Sequence, residues 1–262
     1  MKSKKGKLIL IPCTIGETEV NKVLPQENTT YINSCSEFIV ENIRSARRFL
    51  IKSSIKTAID DIKFNLLNKH TKNFELSSML DCIQHGKNIG LISEAGCPGI
   101  ADPGADIVKI AHNKGINVIP LVGPSSILMA LMASGLNGQN FAFNGYLPKE
   151  KTNRRNRILF LENLSFKQQQ TQIFIETPFR NNHMLEDLCK YCQASTELVI
   201  VTNISTESES IIRETSEVNS SICILNSKYS SVSESNHLNR ICSPFFLLIN
   251  SASCELPSHV KV

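Results

Sequence analysis

The chain is predicted to be an α/β protein made of two α/β domains, a parallel-sheet domain over residues 7–138 and a mixed-sheet domain over residues 139–250. Three observations carry this. Short apolar runs alternate with helix-period segments through the first half, the signature of strand–helix–strand units and a parallel sheet. Loops rich in glycine and proline follow the apolar runs directly, as in Pro12-Cys13-Thr14-Ile15-Gly16 and Val122-Gly123-Pro124-Ser125-Ser126. In the second half four strand-like runs share one clear helix, so part of that sheet is expected to be antiparallel.

Lys7 to Ile11 reads as the first buried strand, broken by Pro12. Ser36 to Glu41 is a second strand, leading into a helix from Ile43 to Leu50. Leu66 to His70 reads as a strand end, followed by a helix from Phe74 to His85 that Gly86 terminates. A strand begins near Lys87 and ends at Ser93, and Ala105 to Ala111 has apolar residues at helical spacing. Ile116 to Leu121 is a short strand, and Ile127 to Met132 starts a helix that stops near Gly135. Phe141 to Pro148 is a strand and turn, and Lys149 to Arg157 reads as a basic loop beside a linker. Further strands are expected at Gln172–Glu176, Glu197–Val201, Ile222–Leu225 and Pro244–Ile249, with a helix from Asn182 to Tyr191. The serine-rich stretch from Ser227 to Ser235 reads as a mobile loop.

A chain of 262 residues with 41% hydrophobic content can bury a normal core. No apolar run approaches the roughly 20 residues needed to span a bilayer. The basic start Lys2 to Lys7 precedes too short an apolar segment for a signal peptide, so a cytoplasmic protein without a membrane partner is expected. Nine cysteines at irregular spacing point to reduced thiols rather than a disulfide framework. Cys189 and Cys192 have CxxC spacing but no second pair, and the histidines have no ligand spacing, so no metal site is expected. Nicotinamide dinucleotide and Walker-type phosphate binding are disfavoured, because the first strand is not followed by GxGxxG and no Gly-x-x-x-x-Gly-Lys occurs.

The richest stretch is Ile92 to Gly104, which sets two acids, three glycines and two prolines behind an apolar strand. Such a loop joins a strand's carboxyl end to a helix's amino end, where α/β sheets hold ligands. Asp102 and Pro103 alternatively read as the N-cap and first residue of the following helix, which leaves Glu94-Ala95-Gly96-Cys97-Pro98 unexplained. The net charge of +4 is mild. The local runs Arg44-Ser45-Ala46-Arg47-Arg48 and Lys149 to Arg157 either contact phosphates or form solvated helix faces.

Taken together, Ile92 to Gly104, Pro120 to Ser126 and Phe174-Ile175-Glu176-Thr177-Pro178-Phe179-Arg180 resemble the tetrapyrrole methylase superfamily. The chain is most similar to the branch of small-subunit ribosomal RNA 2′-O-methyltransferases acting on a cytidine, the RsmI-like proteins, over roughly Leu8 to Ile249. The resemblance implies an S-adenosylmethionine-dependent methyltransferase, with the cofactor in a cleft between the two domains, and a homodimer. It implies donor contacts from Pro12, Thr14, Glu94, Gly96, Pro98, Asp102, Ser125, Ser126, Thr177 and Pro178. The chain departs from the branch in having Glu94-Ala95-Gly96-Cys97-Pro98 where Asp-Ala-Gly-Thr-Pro is usual, and in a divergent region from Ser205 to Asn239. Thr206-Glu207 stands where many members have a Thr-Glu pair.

A ribose hydroxyl is a poor nucleophile, so a base would help its methylation. Glu94, Glu176 and Glu207 are the candidates, each with a structural alternative: cofactor contact, strand-end anchor and solvated loop acid. Arg180 either binds a phosphate or pairs with Glu176. With small-subunit ribosomal RNA as partner, Arg44, Arg47, Arg48, Arg154, Arg155, Arg157 and Arg180 would meet its phosphates. Two other readings stand beside this one. One is a methyltransferase for a small tetrapyrrole-like acceptor; the other is an RNA- or ribosome-binding protein that keeps the cofactor fold without turnover.

Overall fold

The computed structural model describes residues 5–67, 71, 73–215 and 245–250. It divides into two compact units, Met1–Ser125 and Ser126–Val262, each with its own five-stranded sheet. The expected strand at Ile222–Leu225, the serine-rich loop at Ser227–Ser235 and the strand end at Asn68–His70 lie outside the described residues.

The first unit runs β1 (Lys7–Ile11), α1 (Val20–Val23), α2 (Glu27–Ser34), β2 (Cys35–Val40), α3 (Ile43–Lys52), β3 (Lys63–Leu66), α4 (Asn73–Ser78), β4 (Asn88–Ile92), α5 (Gly104–Asn113) and β5 (Asn117–Pro120). Its strands lie in the order β3-β2-β4-β1-β5, and every pairing is parallel. Alternation along each strand explains the layers. Ile9, Ile11, Phe38, Val40 and Ile92 point to one face and pack with Ile32, Ala46, Phe49 and Leu50 of α2 and α3. Leu8, Ile39, Ile89 and Leu91 point to the other and pack with Leu76, Ile107 and Ala111 of α4 and α5. A sheet covered on both faces has strands that are apolar on both sides, as these are. Gly90 leaves room for Phe38 and Ile11, since a Cβ there would lie 2.6 Å from the Phe38 ring.

The connections from β1 to β2 and from β4 to β5 leave in opposite directions and on opposite faces. The neighbours β1 and β4 therefore flank a topological switch point, and the crevice outside their carboxyl ends is the place where such sheets take ligands.

The helix expected from Phe74 to His85 is broken. α4 ends at Ser78, Leu80 leaves helical geometry with ψ 1°, and a 3-10 turn covers Asp81–His85 before Gly86 closes it at φ 79°. The Ser78 hydroxyl donates to the Glu75 carbonyl at 2.8 Å, a side-chain bond that competes with continuation of the helix.

The second unit runs α6 (Ser126–Ser134), β6 (Phe141–Tyr146), α7 (Lys151–Gln168), β7 (Thr171–Glu176), α8 (Asn181–Tyr191), β8 (Glu197–Thr202), β9 (Ser210–Thr215) and β10 (Phe245–Asn250). Its sheet has the order β6-β7-β10-β8-β9, with β6 and β7 parallel and the other pairings antiparallel, a mixed sheet as expected. The chain passes from the first unit to the second between Ser125 and Ser126, because α6 lies against β9 and β10; the sequence reading drew the boundary after residue 138.

The largest difference from the sequence reading is Lys149 to Arg157, expected as a loop and found as the start of the 18-residue helix α7. Glu150 caps it, accepting from the Thr152 and Asn153 backbone N–H groups at 2.8 and 2.7 Å. The buried face is Arg154, Ile158, Leu161, Glu162 and Ser165, so the helical stripe is interrupted by charged residues and reads poorly as apolar periodicity. Arg154 can occupy that face because Asp187 of α8 pairs with it, at 2.6 Å from Nη2 and 2.7 Å from Nε. The antiparallel edge strand β9 was also not anticipated.

Removing one partner of this ion pair strands a buried charge. Asp187→Ala should cost about 3–5 kcal/mol in urea unfolding, while the double variant Arg154→Met, Asp187→Leu should recover most of the loss.

Candidate functional site

Three loops leave the carboxyl ends of the adjacent strands β4, β1 and β5, and backbone contacts tie them together. Cys13 donates its N–H to the Gly96 carbonyl at 2.9 Å, and the two residues form an isolated antiparallel bridge. The Cys97 thiol donates to the Pro124 carbonyl at 3.4 Å. Leu121 donates to the Leu10 carbonyl at 3.0 Å, and the Asn28 amide on α2 donates to the Val122 carbonyl at 2.8 Å. Gly123 lies against the Pro12 ring so closely that a Cβ would come within 2.2 Å of its Cγ. Gly96 has φ 67°, the left-handed region that glycine enters without strain, and a Cβ there would lie 3.3 Å from the Pro124 carbonyl.

Asp102 resolves the two readings of the acidic loop. Its Oδ1 accepts from the Gly99 N–H at 2.8 Å and from the Gly104 N–H at 2.7 Å, so it both closes the loop and satisfies the first residue of α5. Burial raises its carboxyl pKa, against the lowering influence of those two N–H groups. Ser93 donates to the Gly96 carbonyl at 2.9 Å from within the same loop. Glu94 is exposed on the loop's rim, where the Ser45 hydroxyl of α3 donates to its Oε1. Burial and the Glu94 charge push the Cys13 thiol pKa up, and burial does the same to Cys97, so both stay protonated at neutral pH. The first unit thus gathers Pro12, Thr14, Glu94, Gly96, Pro98, Asp102 and Ser125 on linked loops, while Ser126 begins α6.

On the second unit, Thr177 and Pro178 lie just beyond β7, at the start of the 3-10 turn Pro178–Arg180. Glu176 is fully buried; its Oε1 accepts from the Thr177 N–H at 2.7 Å, and its Oε2 pairs with Arg180 at 2.6 Å. Glu176 is therefore a strand-end anchor, and Arg180 pairs with it while also donating to the Leu147 carbonyl at 3.0 Å. Glu207 is an exposed acid in the turn before β9.

The arginines separate into committed and available groups. Arg154 is buried against Asp187 and has nothing to offer a phosphate, a correction to the sequence reading. Arg44 and Arg48 are exposed on α3, and Arg155 is exposed on α7 with its guanidinium 5.5 Å from the Tyr191 ring. Arg47 is half-buried between Asp60 at 3.3 Å and the Phe64 ring at 5.7 Å. Arg157 donates to Asn144 at 2.8 Å and covers Phe160. Sequence reasoning did not single out Asn28, Ser45 or Gly123, because their roles depend on contacts between segments distant in the chain.

This fold and loop arrangement define a class. The chain is like the crystal structure of the methyltransferase CobJ, with a TM-score of 0.60 at 13% identity over 97% of each chain. It is also like that of a cobalt precorrin-4 methyltransferase, CbiF, with a TM-score of 0.59 at 13% identity over 93% of this chain and 94% of that one. These likenesses establish the fold. The family model of the tetrapyrrole (corrin/porphyrin) methylases matches residues 36–218. Ribosomal RNA small subunit methyltransferase I of Bacillus subtilis is 32% identical over 82% of this chain and 69% of its own length. The protein of that name in Vibrio cholerae is 29% identical over 78% of this chain and 67% of its own. The chain belongs to the tetrapyrrole methylase family, and it is a methyltransferase.

The linked loops act as one unit, so forcing two apart should disturb all three. Gly123→Ala should lose about 1–3 kcal/mol of stability from overpacking. Its Cys13 amide should exchange with deuterium faster than in the wild type.

Proposed function

We propose that this protein transfers a methyl group from S-adenosylmethionine to a ribose 2′-hydroxyl of small-subunit ribosomal RNA. The observation that carries the donor assignment is the knot of loops at the carboxyl ends of β4, β1 and β5, tied at Cys13–Gly96 and Cys97–Pro124. Its chemistry suits a cationic ligand with hydroxyl groups. An exposed carboxylate stands at Glu94, half-buried hydroxyls stand at Thr14 and Ser125, and Gly96, buried between the loops, lets them approach closely. One related structure, a uroporphyrin-III C-methyltransferase from Thermus thermophilus, is a complex with S-adenosylhomocysteine. The acceptor assignment draws its support from the relatives in Bacillus subtilis and Vibrio cholerae that carry the name of ribosomal RNA methyltransferases.

Glu94, Gly96, Thr14 and Ser125 would hold the donor from the first unit, with Pro12, Pro98 and Asp102 shaping their loops. The donor, when bound, supplies a methyl group already activated on a sulfonium. The protein's task is then alignment, which can contribute up to roughly 7–11 kcal/mol for well-oriented reactants. Of the three acids considered as a base, Glu94 is the one on the linked loops, with Ser45 holding its carboxylate. Glu176 is engaged with Arg180 and the Thr177 N–H, which leaves it a structural role. Arg44, Arg48 and Arg155, with part of Arg47 and Arg157, would meet RNA phosphates. A homodimer and a cytoplasmic location belong to the same proposal. Among the described residues, no helix is long and apolar enough to cross a membrane.

The test uses donor labelled in its methyl group and small ribosomal subunits from cells lacking this activity. Label should enter ribosomal RNA and survive alkaline hydrolysis in a dinucleotide, because a 2′-O-methyl group removes the hydroxyl that cleaves the chain. Label released in mononucleotides, or accepted only by a tetrapyrrole, would refute the acceptor. Glu94→Ala should reduce donor binding, read by calorimetry, by about 10-fold or more, the loss expected for a charge-assisted hydrogen bond. Subunit capture should weaken steeply between about 50 and 200 mM salt. Light scattering should give twice the chain mass; a monomer would remove the dimer.

A further inference from the structure

Two aromatic side chains on the second unit are held toward solvent by unusually firm mounts. Phe179 is 91% exposed, at the centre of the turn Pro178–Arg180. A freely moving loop would let such a ring fold onto apolar surface, but this turn is fastened at both ends. Thr177 donates its N–H to Glu176, Arg180 donates its N–H to the Thr177 carbonyl at 2.9 Å, and the Arg180 guanidinium ties Glu176 to the Leu147 carbonyl. Since Glu176 is fully buried, this lock is not loosened by solvent.

Tyr146 is 54% exposed at the end of the neighbouring strand. A bulge puts it there: Phe143 pairs with Ile173 but Tyr146 pairs with Ile175, so one extra residue is taken up between them, where Gly145 has φ 62°. Bulges re-aim side chains in this way and recur beside functional sites. Asn144 fixes the bulge through its amide bond to Gln172 at 3.0 Å and the bond it accepts from Arg157. Tyr146 also feels the Glu176 charge, which joins burial in raising its hydroxyl pKa. Two guanidinium groups, Arg157 and Arg180, thus anchor to backbone or side chain on either side of Tyr146, and one carboxylate, Glu176, accompanies them. Outward aromatic rings held on a fixed turn and a fixed bulge suit a ligand that offers flat apolar faces, as unpaired nucleobases do.

We propose that Phe179, with Tyr146 at the adjoining strand end, is a stacking platform for an unpaired nucleobase of the acceptor RNA. This rests on the reading of the protein as an RNA methyltransferase and adds the residues that seat the acceptor. A base splayed from its helix stacks on aromatic side chains with little regard to sequence, so the platform positions the nucleotide rather than choosing it.

The test compares wild type, Phe179→Ala, Phe179→Trp and Tyr146→Ala in methyl transfer to small ribosomal subunits, with donor affinity measured separately by calorimetry. Phe179→Ala should raise the KM for subunits about 10-fold while leaving the donor Kd and thermal midpoint within 2-fold and 2 °C of wild type. Phe179→Trp should restore the KM, and Tyr146→Ala should raise it by a smaller factor. An unchanged KM in Phe179→Ala, or a donor Kd that worsens in step with it, would overturn the platform. Absence of transfer to RNA by the wild type would instead remove the RNA reading on which the platform rests.

Discussion

The hydrogen bond from the Cys13 N–H to the Gly96 carbonyl joins the loop after β1 to the loop after β4, across the switch point of a parallel sheet. Neither loop has the apolar content to fold by itself. Each is shaped by being held against the other, and by the loop after β5 that Cys97 and Asn28 draw in. The site follows from this one constraint: linked backbone sets Gly96 where side chains cannot intrude and leaves Glu94 on the rim. The sheet beneath supplies the rigidity, since both of its faces are packed and its central strands are largely buried.

The second unit solves a different problem. Its buried charged groups come in paired sets: Arg154 with Asp187, Glu176 with Arg180 and the Thr177 N–H, and Glu162 with the Thr196 hydroxyl and the Gln193 N–H. Burying a charge is tolerable only with a partner and hydrogen bonds. Here the partners also set geometry, because the Arg180 pair shapes the turn beyond β7 that carries Thr177 and Phe179.

Much of this was legible in the chain itself. Apolar runs of strand length marked the four buried or half-buried strands β1, β2, β4 and β5, and the Gly- and Pro-rich loops behind them marked the site. The start of α5 was legible to within a residue: the cap position falls on Pro103 rather than Asp102, whose carboxylate still accepts from the Gly104 N–H. The helix α7 was not, because Arg154 and Glu162 occupy positions where periodicity looks for apolar residues, and only their partners make that face buriable. The break after α4 depended on a local serine bond, and β9 is an edge strand with a short, half-polar sequence. Arg154 read as a phosphate contact for the same reason that α7 was missed: sequence shows charge but not its burial. Ser45, Asn28 and Gly123 act across separations in the chain that no local pattern reports.

The central claim is that the linked loops of the first unit receive S-adenosylmethionine. The most direct measurement is a titration of nitrogen-15-labelled protein with S-adenosylmethionine, following backbone amide resonances. The account predicts the largest saturable shifts at Thr14, Glu94, Gly96 and Ser125, with slower exchange at Cys13. Shifts absent there, or confined to other parts of the chain while binding is detected by calorimetry, would contradict it.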